Sequence, residues 1–430
     1  MRREDKSRWE RRTPLTPVDV REMKNSLGIQ TIIQPSNIRI YSDDEYRQAG
    51  AVVQEDLSSC PVVFGVKEMP TPFFQPKNTY LFFSHTIKGQ KYNMPMLKRM
   101  MTLNCNLVDY EKIVNEQGRR LLFFGRYAGL AGMIDSLWAV GKRLDWEGIP
   151  NPFSSLLQTY EYESLEEAEK AVARIGKKIR SESLSSRLLP FVCGFTGYGH
   201  VSQGAQEIFD LLPHREIAPE DIPRVFNSPG SSKDRLYKVV FEEKHLMEPI
   251  APNSDFDLQD YFDHPEKYKS KFETYLPYLT LIINAIYWSP AYPKIVTKRG
   301  LKKMFSGRSK PRLRVIGDIS CDVEGAIECT VRTTQPDKPI FTYDPVKDRE
   351  ADGYEGTGVV IMAVDNLPCE LPRASSVYFS KNLMPYVPEI VHADFSVDFS
   401  QLRLSPQIKN GVILYHGQLT PQYSDIKKYL

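Results

Sequence analysis

The chain has 430 residues, with 56 basic against 54 acidic side chains, a net charge of +2, 26% charged and 41% hydrophobic residues. A length of this order implies two or three domains of about 150 residues each, and the balance of charge excludes a protein whose main surface coats nucleic acid or an anionic membrane. The composition is that of a folded globular chain, and no apolar run reaches the ~18 residues that cross a bilayer.

Residues 1–12 hold nine charged side chains and no apolar stretch, so they do not read as a secretory signal. The cysteines at 60, 105, 193, 321, 329 and 369 form no CxxC pair and the histidines do not cluster. Reduced thiols are expected, with neither a disulfide framework nor a metal site. A cytoplasmic protein is expected, or one of a mitochondrial or other organelle matrix if a leader has been removed.

In chain order, 17–27, 42–49 and 94–103 read as helices, and 31–34, 62–66, 80–83, 106–109 and 121–124 as strands. Strands separated by helices imply a parallel α/β unit. The segment 129–144 is apolar at helical spacing and runs toward Gly148, Pro150 and Pro152, a connecting helix followed by a boundary. A charged helix over 165–180 precedes a second α/β run, in which the strand 190–195 passes through a glycine-rich turn into a helix over 201–212. Further strands are expected at 237–241, 280–287, 314–319 and 359–364, a surface helix over 256–272 and helix over 372–393. The remainder shows no strong periodicity, and no internal repeat is visible.

The sharpest local signal for chemistry runs from Gly194 to Ser202. Gly197 permits a tight turn out of the strand, Gly199 lets the backbone approach a pyrophosphate, and the following helix offers its N-terminal N–H groups. Tyr198, His200 and Val201 lie in the same turn, and Ser202 stands at the third glycine position of G-x-G-x-x-G. An ordinary strand-to-helix turn would leave a similar pattern. Glu216 lies near the place of an acid that holds a ribose 2′-hydroxyl, whereas Arg215 or Arg224 would pair a 2′-phosphate, so spacing does not choose between NAD and NADP. Asn284, in the apolar run 278–288, is a further cofactor-side candidate.

Lys67 and His85 each end a buried-strand pattern, and adjacent parallel strands bring their C-terminal ends together where α/β sheets hold ligands. Side by side, the two would lower each other's pKa and suit proton transfer; the ordinary alternative is a solvated lysine and a histidine satisfied in the core. Arg12, Arg119 and Arg120, with Asp109 and Glu111, sit near other strand or loop ends, where arginines suit carboxylates. Asp318 and Asp322 flank a later strand end.

Several stretches together resemble a known family: 8–17 (Arg-Trp-Glu-Arg-Arg-Thr-Pro-Leu-Thr-Pro), Gly65-Val66-Lys67-Glu68, Phe82-Phe83-Ser84-His85-Thr86-Ile87-Lys88, Gly118-Arg119-Arg120, 197–207 and Asp365-Asn366-Leu367-Pro368 with Leu371-Pro372-Arg373. They resemble the lysine–2-oxoglutarate reductase half of bifunctional aminoadipic semialdehyde synthases, and more broadly lysine-forming saccharopine dehydrogenases and alanine dehydrogenase. The resemblance covers nearly the whole chain.

The resemblance implies an α/β protein of two doubly wound Rossmann-like domains with a cleft between them. The C-terminal segment would return to the N-terminal domain, giving 1–135 plus 365–430 as substrate domain and 136–364 as dinucleotide domain. It implies condensation of L-lysine with 2-oxoglutarate and reduction of the imine to saccharopine, as a step of lysine degradation, with NADPH, or NADH if the chain follows the lysine-forming relatives. By the same resemblance Lys67 and His85 move protons, Arg12 and Arg120 hold substrate carboxylates, Glu111 faces an amine and Asp322 is an acid at the cleft. A length of 430 residues fits the reductase alone, so a separate glutamate-forming saccharopine dehydrogenase is an expected partner, and no nucleic acid or membrane is. Alternatives stand beside this: an NAD-dependent lysine-forming saccharopine dehydrogenase or an alanine dehydrogenase-like amino-acid oxidoreductase, and a non-catalytic nucleotide-binding regulatory subunit.

Overall fold

Local signals set the first elements. Thr16 caps the helix Pro17–Leu27 by accepting from the Asp19 N–H while Asp19 answers the cap backbone, a reciprocal arrangement that satisfies two otherwise orphaned donors. The computed structural model describes residues 1–227, 232–307 and 310–430. The chain divides into two compact units, one of Met1–Phe124 with Pro372–Leu430 and one of Gly125–Leu371.

Unit one is built on a five-stranded sheet. Val62–Phe64, Thr79–Phe82 and Asn106–Asp109 run parallel, and Val412–Tyr415, from the far end of the chain, pairs antiparallel with Asn106–Asp109 and carries Gln418–Leu419 on its outer edge. Alternation along the strands feeds two cores. Leu81, Val108 and Val412 pack with Phe379 and Leu383, while Tyr80, Phe82, Leu107 and Ile413 pack with Leu97 and Met100. Both faces are covered, as a largely parallel sheet requires. The helix Pro372–Leu383 is tied to the N-terminal turn by Ser376 Oγ, which accepts from Thr13 N–H at 3.0 Å, and by Ser380 Oγ, which accepts from Thr16 N–H at 3.1 Å.

Unit two holds an eight-stranded sheet. Its spatial order is Arg349–Asp352, Ile340–Asp344, Val359–Met362, Val315–Asp318, Leu281–Asn284, Val192–Thr196, Leu236–Phe241 and His214–Glu216. All are parallel except Ile340–Asp344, antiparallel to both its neighbours. One core gathers Val239, Phe241, Ile282, Ile316, Phe341 and Ile361. The long helix Gly125–Trp146 packs lengthwise on this unit, where its Ser136 abuts Gly317. The unit boundaries therefore fall at 124/125 and 371/372, not at 135 and 365, because the helix is one rigid element that buries its residues here.

Several expected elements are different. Residues 121–124 form no strand; Leu122 enters the core, and Phe124 stacks on Phe379 at 4.8 Å, so aromatic packing replaces a ladder. The expected helix over 256–272 stops after Leu258–Asp263, Pro265 starts a short turn, and Tyr268–Ser270 pairs with Met247–Pro249; a proline has no N–H with which to continue the helix. The helix expected over 372–393 breaks at Leu383 and resumes at Val387–Val391, with Pro385 and Pro388 between and just inside. Among the described residues no helix is long and apolar enough to cross a membrane. None of the six cysteines is in a disulfide, and among the described residues no group of three or more His, Cys, Asp or Glu side chains could hold a metal ion.

Candidate active site and dinucleotide loop

The C-terminal ends of the three parallel strands in unit one carry most of the polar residues singled out above. Past Val62–Phe64 the chain continues through Gly65, whose N–H donates to Leu81 O at 2.9 Å, to Lys67. Glu4 braces this end from below: its carboxylate accepts from Val66 N–H at 2.7 Å and Lys67 N–H at 3.0 Å. Burial, and then the Glu10 charge, push the Glu4 carboxyl up to about 7 against those two donors.

Lys67 is half-buried, and burial pushes its ammonium below the ordinary lysine range, with the Arg12 guanidinium adding to the effect. The leading influences are thus burial and an arginine, where the sequence pointed to His85. Arg12 is itself buried, its guanidinium bound fork-to-fork by Glu10 at 2.7 and 2.6 Å and lying 4.2 Å over the Phe124 ring.

His85 lies past the neighbouring strand with φ of +48°. Its Nδ1 is 2.7 Å from Glu68 Oε1, and Glu68 also takes Lys6 Nζ at 2.8 Å. Burial works against the Glu68 charge, but the His85 contact and then Lys6 outweigh it and hold the carboxyl well below its usual range. Glu68 thereby fixes the imidazole's orientation through Nδ1, and Nε2 is the ring nitrogen it does not engage. Sequence reasoning missed both Glu4 and Glu68. Glu68 follows Lys67 directly, and that adjacency was the available signal.

Glu111 and Arg120 form an ion pair in which Arg120 is exposed and Glu111 mostly covered. Asp109 is buried, accepting from Ser84 N–H at 3.0 Å and Glu111 N–H at 2.7 Å; burial raises its carboxyl despite those donors. Arg119 is exposed on the same loop.

In unit two the glycine turn stands between Val192–Thr196 and the helix His200–Phe209. Gly197 has φ of +81° and donates its N–H to Phe241 O at 2.9 Å, a conformation that a side chain would strain. A Cβ on Gly199 would meet nothing within 4 Å, and no side chain caps the helix that starts there. Open space in front of uncapped N–H groups suits a pyrophosphate. Tyr198, Gly199 and His200 are exposed, Val201 is half-covered and Ser202 is buried.

Two residues past Ser202, close packing of this helix against the long helix rests on Gly204. A Cβ there would fall well inside contact with Arg126 O of the long helix, and one on Gly129 would do the same to Val201 O. Asn284 is buried and faces the core of the unit: its Oδ1 accepts from Thr196 Oγ1 and its Nδ2 donates to Asp318, both at 2.8 Å. Its side chain therefore links three strand ends and is not offered to a cofactor. Asp318 also accepts from Thr330 Oγ1 at 2.6 Å, and burial lifts its carboxyl to about 6. Asp322 lies in the exposed turn that follows, where its carbonyl accepts from Gly325 N–H at 2.8 Å. Glu216 is exposed at the end of the edge strand, 3.7 Å from Lys238 Nζ.

A largely parallel doubly wound sheet with this loop defines the class: a protein of the dinucleotide-binding fold. The family described as alanine dehydrogenase/PNT matches in two parts, its N-terminal domain over residues 1–131 and its C-terminal domain over residues 257–422. The chain is 37% identical to alpha-aminoadipic semialdehyde synthase of Arabidopsis thaliana over 98% of its own length and 40% of that protein, and 36% identical to the mitochondrial enzyme of that name from Bos taurus over 100% and 47%. It is 25% identical to saccharopine dehydrogenase [NAD(+), L-lysine-forming] of Yarrowia lipolytica, with 90% of each chain covered. Among solved structures, an L-alanine dehydrogenase superposes with a TM-score of 0.63 at 17% identity, covering 99% of this chain and 98% of the other. A transhydrogenase from Sinorhizobium meliloti superposes with a TM-score of 0.54 at 14% identity, covering 97% and 99%. The chain belongs to the alanine dehydrogenase/PNT family. It spans less than half the length of the semialdehyde synthases it matches.

Proposed function

We propose that this chain is a lysine–2-oxoglutarate reductase, joining the ε-amine of L-lysine to the keto carbon of 2-oxoglutarate and reducing the imine to saccharopine. The observation that carries the reading is Lys67, an amine whose pKa is lowered by burial and by Arg12, past the end of a strand that pairs with the one leading to His85, a histidine held by a carboxylate. Condensation, dehydration and reduction each move a proton, and a base works best when its pKa lies near the operating pH.

In this reading Lys67 takes and returns the protons of carbinolamine formation and dehydration, and His85 Nε2 serves the nitrogen of the forming secondary amine. Arg12, committed to Glu10, acts as a fixed positive charge that tunes Lys67 and draws a substrate carboxylate toward it. Arg120 is exposed and can exchange Glu111 for a substrate carboxylate, which would leave Glu111 to meet an ammonium group. A reduced nicotinamide supplies the hydride when bound; the turn 197–202 and the helix N-terminus behind it would hold its pyrophosphate. The resemblance taken alone favours NADPH, and the choice between NADPH and NADH rests with the ribose-side residues of unit two.

The test is nicotinamide oxidation by the purified protein. Turnover is expected only when L-lysine and 2-oxoglutarate are both present. No turnover with either reduced dinucleotide, or equal turnover with ammonium and pyruvate in their place, sinks the reading.

A further inference from the structure

In doubly wound nucleotide domains the residue that meets the adenosine ribose ends the strand lying beside the glycine-loop strand. Spacing along the chain assigns that place to Glu216. The sheet assigns it elsewhere. His214–Glu216 is the edge strand, and Leu236–Phe241 lies between it and Val192–Thr196. The inner pair is in register from Val192 opposite Tyr237 to Thr196 opposite Phe241. Phe241 O then accepts the Gly197 N–H at 2.9 Å, so the first side chain past the loop's own anchor is Glu242.

Glu242 lines a cleft of about 880 Å³ with Tyr198, Glu216, Glu220, Lys244 and His245. The charges facing it do not favour a phosphate. Lys244 Nζ is already 2.9 Å from Glu242 Oε2, and that bond holds the Glu242 carboxyl below its usual range. Burial pushes the His245 imidazole down, toward its neutral form; its Nδ1 accepts from Glu242 N–H at 3.0 Å and its Nε2 is 3.4 Å from Glu220. Lys238, which contacts Glu216, is buried and held by Asp210 at 2.8 Å. Arg215 and Arg224, the residues that would have paired a 2′-phosphate, do not line the cleft, and Arg224 lies 3.6 Å from Asp221.

We propose that Glu242 receives the adenosine ribose hydroxyls and makes this chain selective for NAD(H) by opposing the 2′-phosphate of NADP(H). The inference rests on the reading of unit two as holder of a nicotinamide dinucleotide. Selectivity of this kind needs both an acceptor for the hydroxyl and a repulsion against the phosphate, and one carboxylate supplies both.

The test is direct titration of the intact protein with NADH and with NADPH, followed by nicotinamide fluorescence. NADH is expected to bind tighter by about 30-fold or more, and Glu242→Ser to bring the two within about 3-fold, chiefly by improving NADPH. Glu242→Gln serves as the second variant and should narrow the gap in the same direction. Glu216→Ala should leave the wild-type ratio within about 3-fold. Equal or tighter NADPH binding by the wild type, a preference that survives both Glu242 variants, or one that Glu216→Ala abolishes would each overturn the assignment. If neither dinucleotide binds, the assignment and the dinucleotide reading fall together. The expected preference without turnover on lysine and 2-oxoglutarate upholds the assignment and sinks only the proposed reaction.

Discussion

The strand ends of unit one and the central strand ends of unit two are built from opposite materials. In unit one, side-chain charges answer one another: Glu10 grips Arg12, Glu68 takes Lys6 and His85, and Glu111 takes Arg120. In unit two the middle of the corresponding end, past Val192–Thr196 and Val315–Asp318, is backbone and neutral dipoles: an uncapped helix, a glycine turn, and an aspartate satisfied by Thr330, Asn284 and a backbone N–H. The contrast shows in acidity, for the His85 and Lys6 contacts hold Glu68 low against its burial, while burial lifts Asp318 to about 6 despite its hydrogen bonds. A region of matched charges can move protons; a region of fixed backbone donors holds an anion without exchanging anything with it.

The sharpest way to break this comparison is at Lys67. Lys67→Met should lower kcat by about 10²–10⁴-fold, the usual worth of a positioned acid–base group, with the dissociation constant for the reduced dinucleotide nearly unchanged. Steady-state kinetics set beside the fluorescence titration separates the two, and wild-type turnover would remove Lys67 from its role.

In unit two the expected losses come from backbone contact. Gly204→Ala forces a methyl group against Arg126 O and should cost about 2–3 kcal/mol, as overpacking does. Gly199→Ala meets nothing within 4 Å of the protein, so its melting temperature should stay near wild type while dinucleotide affinity drops. Thermal melts of the two variants, with and without dinucleotide, would show whether the two glycines divide packing from binding in this way.

The smallest expected effect concerns a buried pair of carboxyls in unit two. Asp135, which accepts from Thr159 N–H and Oγ1 at 2.8 Å each, faces Glu370. Burial lifts Asp135 to about 6, and burial with the Asp135 charge lifts Glu370 well above its ordinary value. Carboxyls raised in the folded state contribute their full stability below the unfolded pKa near 4, and lose it as pH rises through the folded values. Glu370→Gln should therefore lose less stability than the wild type between pH 5 and pH 8, by about 1–3 kcal/mol. Denaturant melts at the two pH values decide it; parallel losses would show that the pair does not share a proton.

What was legible in the chain follows from what is local. The strand–turn–helix around Gly197 could be read because its three parts are contiguous and their periods change from two to 3.6. Glu242 could not, because its claim on the ribose depends on Leu236–Phe241 slipping inside His214–Glu216, and spacing along the chain is blind to strand order. Lys67 and His85 were visible at the ends of apolar runs. The neighbours that tune them, Glu4, Arg12 and Lys6, come from a segment more than fifty residues earlier and are brought there only by the fold. Val412–Tyr415 was lost in a tail without periodicity, since four buried apolar residues on both faces of a sheet show neither alternation nor a helical stripe.

That last strand has a consequence for how the molecule is made. The Asn106–Asp109 strand has one flank covered by Thr79–Phe82, but its other flank stays bare until Val412–Tyr415 has been translated. Unit two, uninterrupted from Gly125 to Leu371, has every strand in hand before then. On the ribosome the order of completion should be inverted with respect to the order of synthesis: the second unit closes first, and the first must wait, with an unpaired edge, for Val412–Tyr415 to emerge.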